Sequence, residues 1–192
     1  MNVYDFDKTI YAHDSTADFF KFCIKRRPSL LRYAPKQLFW AAAFALGYDK
    51  TRFKEKFYCF FRGIKDVDAL LEEFWDGHIG LVHKWYLEKR RPDDLVISAS
   101  PEFLVAPALR RLGSARLIAS VVDKRTGKYT GKNCHGEEKV RRLRLEYPEA
   151  EIEEFYSDSF SDAPLALISK RAYLVSGETL VPWDEAKKKA RR

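Results

Sequence analysis

The hydrophobic rhythm of this chain changes twice. The apolar step Val3-Tyr4 predicts a short buried strand, and Ile10 to His13 is too short and irregular to be an element. Asp14-Ser15-Thr16 then supplies side-chain oxygens for the free N–H groups of a first helical turn, ahead of Phe19, Phe20 and Cys23. From there to about Tyr86 the pattern is helical. Arg26-Arg27-Pro28-Ser29, Gly47-Tyr48-Asp49 and Gly63 interrupt it, which predicts four or five helices. Leu38 to Leu46 is uninterrupted apolar sequence, but its nine residues fall far short of the about 20 that cross a bilayer. It reads as a buried or an interfacial helix.

After Pro92 the runs become short and strand-like. Leu95-Val96-Ile97 predicts a strand, and Ser98-Ala99-Ser100-Pro101 offers a capping serine and a first-turn proline for a helix to Leu112, which Pro107 should kink or split. Leu117 to Val122 predicts the next strand, which Lys124 to Lys128 turns into a hairpin arm; Gly136 then precedes a helix over Glu137 to Tyr147. Ile152 to Tyr156 predicts a strand ending at Ser157-Asp158, followed by a helix from Ala163 and a last core strand over Ala172 to Val175. The closing Lys187-Lys188-Lys189-Ala190-Arg191-Arg192 reads as a frayed basic tail. Strands alternating with helices make an α/β fold with a parallel sheet.

Candidate chemistry begins at Asp5-Phe6-Asp7-Lys8-Thr9. An extended chain points residues i and i+2 to one side, so Asp5 and Asp7 converge. Two converging carboxylates repel unless a cation sits between them, an arrangement suited to Mg²⁺ and a phosphate, with one carboxylate attacking phosphorus and the other handling a proton. Alone, the pentapeptide is common enough to read as a solvated acidic turn. Polar residues at other strand and helix ends change that: Ser98, Lys139, Asp158 and Asp162. In an open α/β sheet these positions meet outside the carboxyl ends of the strands. Ser98 can donate to a phosphate oxygen, Lys139 can balance the phosphate charge, and Asp158 can complete an oxygen site for Mg²⁺.

In this arrangement the chain resembles the haloacid dehalogenase superfamily of phosphohydrolases over nearly its whole length. The first motif of that family is D-x-D-x-T, here Asp5 to Thr9; the second is a Ser or Thr after an apolar strand, here Ser98; the third a lysine, here Lys139; the fourth an acidic pair, here Asp158 and Asp162. The resemblance implies a Rossmann-like core, residues 1–13 and 87–192, carrying an inserted α-helical cap, residues 14–86. It implies Asp5 as a nucleophile forming an aspartyl-phosphate and Asp7 as acid and then base, with Thr9, Ser98, Ala99 and Lys139 around the phosphate. Mg²⁺ would be held by Asp5, the backbone carbonyl of Asp7 and Asp158, with Asp162 behind them or acting through water. Dehalogenases of the superfamily lack the second aspartate because a halide leaves unprotonated, so Asp7 implies a phosphatase. The cap looks like that of the phosphoserine-phosphatase-like branch. The text from Lys25 to Leu31 running into Leu38 to Leu46, together with Leu117-Ile118-Ala119-Ser120 and Tyr156-Ser157-Asp158-Ser159, is similar to phosphatidylglycerophosphatase C and its relatives.

Composition narrows the setting. The 192 residues, 46% hydrophobic and 15% aromatic, fit one folded domain, or one domain with an insertion. Cys23, Cys59 and Cys134 are odd in number and widely spaced, so neither a disulfide framework nor a zinc site is indicated; with no room for a signal peptide before Asp5, a cytoplasmic home is expected. The net charge of +7 is segregated: Lys21 to Lys65 carries +10 together with eleven aromatic residues. Such a segment can face an anionic membrane, or it can be a solvated surface over an aromatic core. A phosphomonoester substrate, with peripheral contact to the inner membrane face and no nucleic acid, is the expected set of partners. A small soluble ester such as phosphoserine is the alternative substrate, and a catalytically idle protein binding membrane or nucleic acid is the alternative of another class. His13, His78, His83 and His135 have no metal-ligand spacing and read as surface or packing residues.

Overall fold

A computed structural model describes residues 1–48, 50–113 and 116–190; Asp49, in the second predicted helix break, and Arg191-Arg192 of the basic tail lie outside them. Among the described residues, β1 (Val3–Tyr4), β2 (Leu95–Pro101), β3 (Leu117–Ser120), β4 (Ile152–Ser157), β5 (Ser169–Ser176) and β6 (Thr179–Pro182) form one sheet in the order β3-β2-β1-β4-β5-β6. All neighbours run parallel except β5 and β6. Chain order reverses on either side of β1, which makes the carboxyl end of that strand the natural crevice of the sheet. Successive residues of a strand face opposite ways, and the core divides accordingly. Val3 joins Leu95, Ile97, Ile118 and Phe155 on one face, while Tyr4 joins Phe6, Trp75, Val96 and Tyr156 on the other.

Among the described residues, five α-helices separate β1 from β2: α1 (Ser15–Arg26), α2 (Ala34–Ala45), α3 (Lys50–Phe57), α4 (Val67–His78) and α5 (Lys84–Lys89). Asp14 and Asp66 cap two of them, accepting from the N–H groups of Ala17 at 2.9 Å and Ala69 at 3.0 Å. The insertion shares the core of the sheet. Phe19, Phe60, Phe61, Phe74 and Trp75 belong to the same buried cluster as Tyr4, and the Trp75 indole donates to the Leu104 carbonyl at 2.7 Å. By contrast, α2 stands on the surface: Leu38, Phe39 and Leu46 are 70%, 66% and 90% exposed. Of the two expectations for the Leu38 to Leu46 run, burial is therefore set aside.

Several boundaries differ from expectation. The helix expected to begin at Pro101 behind a capping serine begins one residue later; β2 continues to Pro101, and α6 (Glu102–Arg111) follows without a capping serine. The strand register slips between Ser98 and Pro101, so Ala99 and Ser100 are taken up in a bulge. Pro107 does not split α6, which runs unbroken from Glu102 to Arg111; it is buried with Leu104, Val105, Ala108 and Leu109, and that packing outweighs one lost hydrogen bond. Strand β3 stops at Ser120, and the expected hairpin arm is reduced to a bridge between Val122 and Tyr129. α7 (Glu137–Glu146) and α8 (Ala163–Leu167) stand where the pattern places them. β5 begins at Ser169, earlier than Ala172, and Gly177 at φ 59° turns the chain back into β6. The tail is not frayed up to Ala190. α9 (Trp183–Ala190) carries Lys187 to Lys189 and is anchored by Trp183, whose ring lies 6.1 Å from Phe155 and 5.3 Å from Phe160.

Candidate active site

Asp5 leaves the end of β1 with its N–H bonded to the Tyr156 carbonyl at 2.9 Å. The pairing of Tyr4 with Val96 on one side and Tyr156 on the other therefore brings the first motif level with the ends of β2 and β4. The Asp5 carboxylate, 8% exposed, accepts from the Lys139 ammonium at 2.6 Å, and the same ammonium reaches Asp162 Oδ2 at 2.8 Å. α7 delivers Lys139 from outside the sheet with its side chain fully covered. Burial pushes the Asp5 carboxyl up to about 7, opposed in part by Lys139 and reinforced by Asp162 and Asp7. Burial also works against the Lys139 charge, but its two carboxylates outweigh that and hold it protonated above the ordinary lysine range.

Asp7 faces a different set of partners. Its Oδ1 accepts from the Ser15 N–H at 2.7 Å, at the start of α1, and its Oδ2 accepts from the Ser100 hydroxyl in the β2 bulge. Burial and the nearby Asp14 raise this carboxyl, while the Ser100 and Ser15 donors pull it down. Lys8 between the two aspartates holds φ 57°, a left-handed conformation that non-glycine residues rarely adopt and that marks strained functional loops.

Thr9 is fully buried, and its hydroxyl accepts from the Asp158 N–H at 3.0 Å, tying the first motif to the fourth. Asp158 is half-buried, and burial raises its carboxyl despite the opposing charge of Lys8. Asp162 Oδ2 takes a second bond from Ser157 at 2.8 Å, and its Oδ1 is buried with no partner. Ser98 accepts from the Ser100 N–H at 3.1 Å; the Ala99 carbonyl takes bonds from Lys54 of α3 and from Ser120, each at 3.1 Å.

Two cavities adjoin these residues. One of about 590 Å³ is lined by Lys8, His13, Asp14, Lys21, Asp158 and Ser176, among others. The second, of about 230 Å³, lies between Phe53, Phe57 and Tyr58 of the insertion and Thr16 and Ser100. The sequence offers Ser15 and Ser100 only as helix-capping residues and marks neither Ser157 nor Lys54 for the site, because residues of these types are common and no motif singles them out. His83 is buried and bonds Glu178 at 2.9 Å, consistent with a packing role.

The donors able to hold a metal are oxygens: the Asp5 and Asp158 carboxylates, the orphaned Asp162 Oδ1 and the backbone of Asp7. Among the described residues no three His, Cys, Asp or Glu side chains form a ready-made metal cluster. The expected set needs none, since it combines two carboxylates with a backbone carbonyl. An oxygen-only donor set is chemically matched to Mg²⁺.

Residues 3–167, which include every motif above, match the family model described as haloacid dehalogenase-like hydrolase. Protein CicA of Caulobacter vibrioides is 30% identical, the alignment covering 90% of this chain and 84% of that protein. A solved protein of unknown function from Bordetella pertussis Tohama I is similar at a TM-score of 0.78, covering 100% of this chain and 95% of its own at 22% identity. A phosphoserine phosphohydrolase-like protein from Francisella tularensis gives 0.59, covering 90% and 86% at 13% identity. At such identities the two structures speak for the fold, and it is the expected one.

Proposed function

The chain belongs to the haloacid dehalogenase-like hydrolases, and we propose that it is a Mg²⁺-dependent phosphatase acting on phosphate monoesters through an aspartyl-phosphate on Asp5. The observation that supports this reading most is the unequal setting of its two first-motif carboxylates. Asp5 faces a cation, Lys139, whereas Asp7 is bonded by the neutral donors Ser15 N–H and Ser100 O–H. Environments that differ in this way assign different protonation roles to neighbouring carboxyls.

In the first step an oxygen of Asp5 forms a bond to phosphorus while the ester P–O bond breaks. The departing oxygen keeps that electron pair and takes a proton from the Asp7 carboxyl. In the second step the Asp7 carboxylate takes a proton from water as the water oxygen bonds to phosphorus and the bond to Asp5 breaks, which releases inorganic phosphate and restores both side chains. Lys139 holds Asp5 in place and balances charge at its oxygen, and Ser98 lies at the strand end where a phosphate oxygen would be received. Asp5, Asp158 and the Asp7 carbonyl would hold Mg²⁺, with Asp162 behind, and the ion would supply neutralising charge at the phosphate oxygens.

The favoured substrate is a phosphomonoester carried at an anionic membrane, with phosphatidylglycerophosphate the leading specific case, and the protein would sit peripherally on the cytoplasmic face. The exposed apolar residues of α2 beside exposed Arg32 and Lys36 support that reading. Among the described residues no helix is long and apolar enough to cross a membrane. A small zwitterionic ester such as phosphoserine is the second reading, favoured by the mixed charges of Asp14, Asp18, Lys8 and Lys21 around the 590 Å³ cavity. Phosphate release from a panel of vesicle-borne and soluble phosphomonoesters decides between them. Activity is expected with Mg²⁺, to vanish in EDTA and to return with Mg²⁺ rather than Zn²⁺; full activity after exhaustive chelation, or none on any ester, would overturn the proposal.

A further inference from the structure

The β2 bulge has no use in the sheet itself. Between the pairs Ser98–Ala119 and Pro101–Ser120 the strand takes up two extra residues, Ala99 and Ser100, at the point nearest the first motif. A bulge re-aims side chains, and this one turns the Ser100 hydroxyl onto Asp7 Oδ2. Ser100 is 3% exposed, so water does not compete for the contact. Its N–H is bonded to Ser98 Oγ at 3.1 Å, and Thr16 Oγ1 of α1 lies 3.5 Å from its hydroxyl. Asp7 Oδ1 is meanwhile held by Ser15 N–H at 2.7 Å. One donor comes from the sheet and the other from the first helix of the insertion.

From this juxtaposition we infer that Ser100 is a positioning residue for the Asp7 carboxyl, the bulge serving to aim its hydroxyl at the general acid while Ser98, two residues earlier, faces the phosphate. The inference rests on Asp7 acting as the acid. Each carboxyl oxygen has two acceptor positions, and one on each is taken by Ser100 or Ser15, so the proton to be delivered sits on a remaining position. Both donors favour the carboxylate that is left when the proton has gone. They also fix the plane of the group, so its proton points to one place. Losing the Ser100 donor frees that plane and weakens protonation of the leaving oxygen, which matters little for an acidic leaving group and much for a basic one.

The test is a series of aryl phosphates whose phenols run from strongly to weakly acidic, assayed with the Mg²⁺-loaded protein as wild type, Ser100→Ala, Ser100→Thr and Asp7→Asn. Ser100→Ala is expected to lose about tenfold in kcat/KM, which reports the first step and not the hydrolysis of the phospho-Asp5 common to all esters, on the least acidic phenol, with little loss on nitrophenyl phosphate. The plot of log kcat/KM against phenol acidity steepens accordingly, and Ser100→Thr, which retains the hydroxyl, restores it. Asp7→Asn should steepen the same plot further. If Asp7→Asn steepens it and Ser100→Ala lowers kcat/KM equally for all esters, or leaves it unchanged, the positioning role of Ser100 is overturned. If Asp7→Asn leaves the slope unchanged, the reading of Asp7 as the acid fails, and the inference with it.

Discussion

Lys139 is the residue on which site and stability meet, because its ammonium is enclosed between Asp5 at 2.6 Å and Asp162 at 2.8 Å. Taking one partner from a buried charge group costs about 3–5 kcal/mol, since the remaining charges lose their compensation inside the protein. Lys139→Met keeps the length and covers the same space without the charge. It is expected to lower unfolding free energy in urea by about 3 kcal/mol and to abolish phosphate release. Asp5→Asn also abolishes release, because an amide is no nucleophile, but it leaves stability near wild type since its side-chain oxygen still accepts from Lys139. In the double variant the neutral amide at the first position no longer adds a buried charge beside Asp162, so part of the loss is recovered. Additive effects would show that the two residues are not coupled. At this scale the sequence was legible where chemistry demands a residue type: paired aspartates, a lysine, a serine after an apolar strand. Ser100 was not legible, because a serine before Pro101 reads as helix capping, and only the register slip against β3 reveals where its hydroxyl goes.

Elements were legible in proportion to how much of their apolar pattern is their own. The helices of the insertion and the parallel strands announced themselves, whereas β6 is short, ends in Pro182 and forms the sheet edge, so it carries little pattern. α9 was hidden by its lysines, since its two buried anchors, Trp183 and Ala186, span a single turn. The segment after β3 shows the same dependence on partners. Its turn at Gly127, φ 73°, rests on the insertion: the Tyr129 N–H reaches Glu55 at 3.1 Å and its ring lies 6.1 Å from that of Tyr58. A Cβ on Gly127 would collide with the Tyr58 carbonyl, while one on Gly177, also left-handed, meets nothing within 4 Å. Gly177→Ala should therefore cost about 1 kcal/mol from backbone conformation alone. Gly127→Ala should cost about 2–3 kcal/mol, because clash adds to the same conformational strain. Equal urea midpoints for the two variants would mean that this turn is not seated on the insertion.

For the whole molecule, the parallel α/β sheet and the meeting of four motifs followed from α/β grammar, but the strand order and the surface did not. The run from Leu38 to Leu46 fits a buried helix as well as an exposed one, and only packing decides: the insertion fills the core with aromatics from α1, α4 and the turn at Tyr58–Gly63, leaving α2 outside. What results is an apolar ridge of Leu38, Phe39 and Leu46 in the segment that carries +10 of charge. Arg26 is engaged with Glu73, so the exposed Arg32 just before α2 and Lys36 in its first turn are the better-placed cations. Each basic residue close to an anionic bilayer contributes about 1 kcal/mol, and buried apolar side chains add to it, so on the proposed reading the ridge and its rim together would give reversible attachment. The protein is expected to sediment with vesicles rich in anionic lipid and to be released progressively as salt rises. Arg32→Ser with Lys36→Ser should weaken the salt-sensitive part, and Leu38→Ser with Phe39→Ser the part that survives salt. Both pairs should leave aryl phosphate hydrolysis unchanged, because neither adjoins the catalytic carboxylates. If the protein stays in the supernatant with vesicles of every composition, the membrane-borne substrate loses its support and the soluble ester becomes the better reading of the same site.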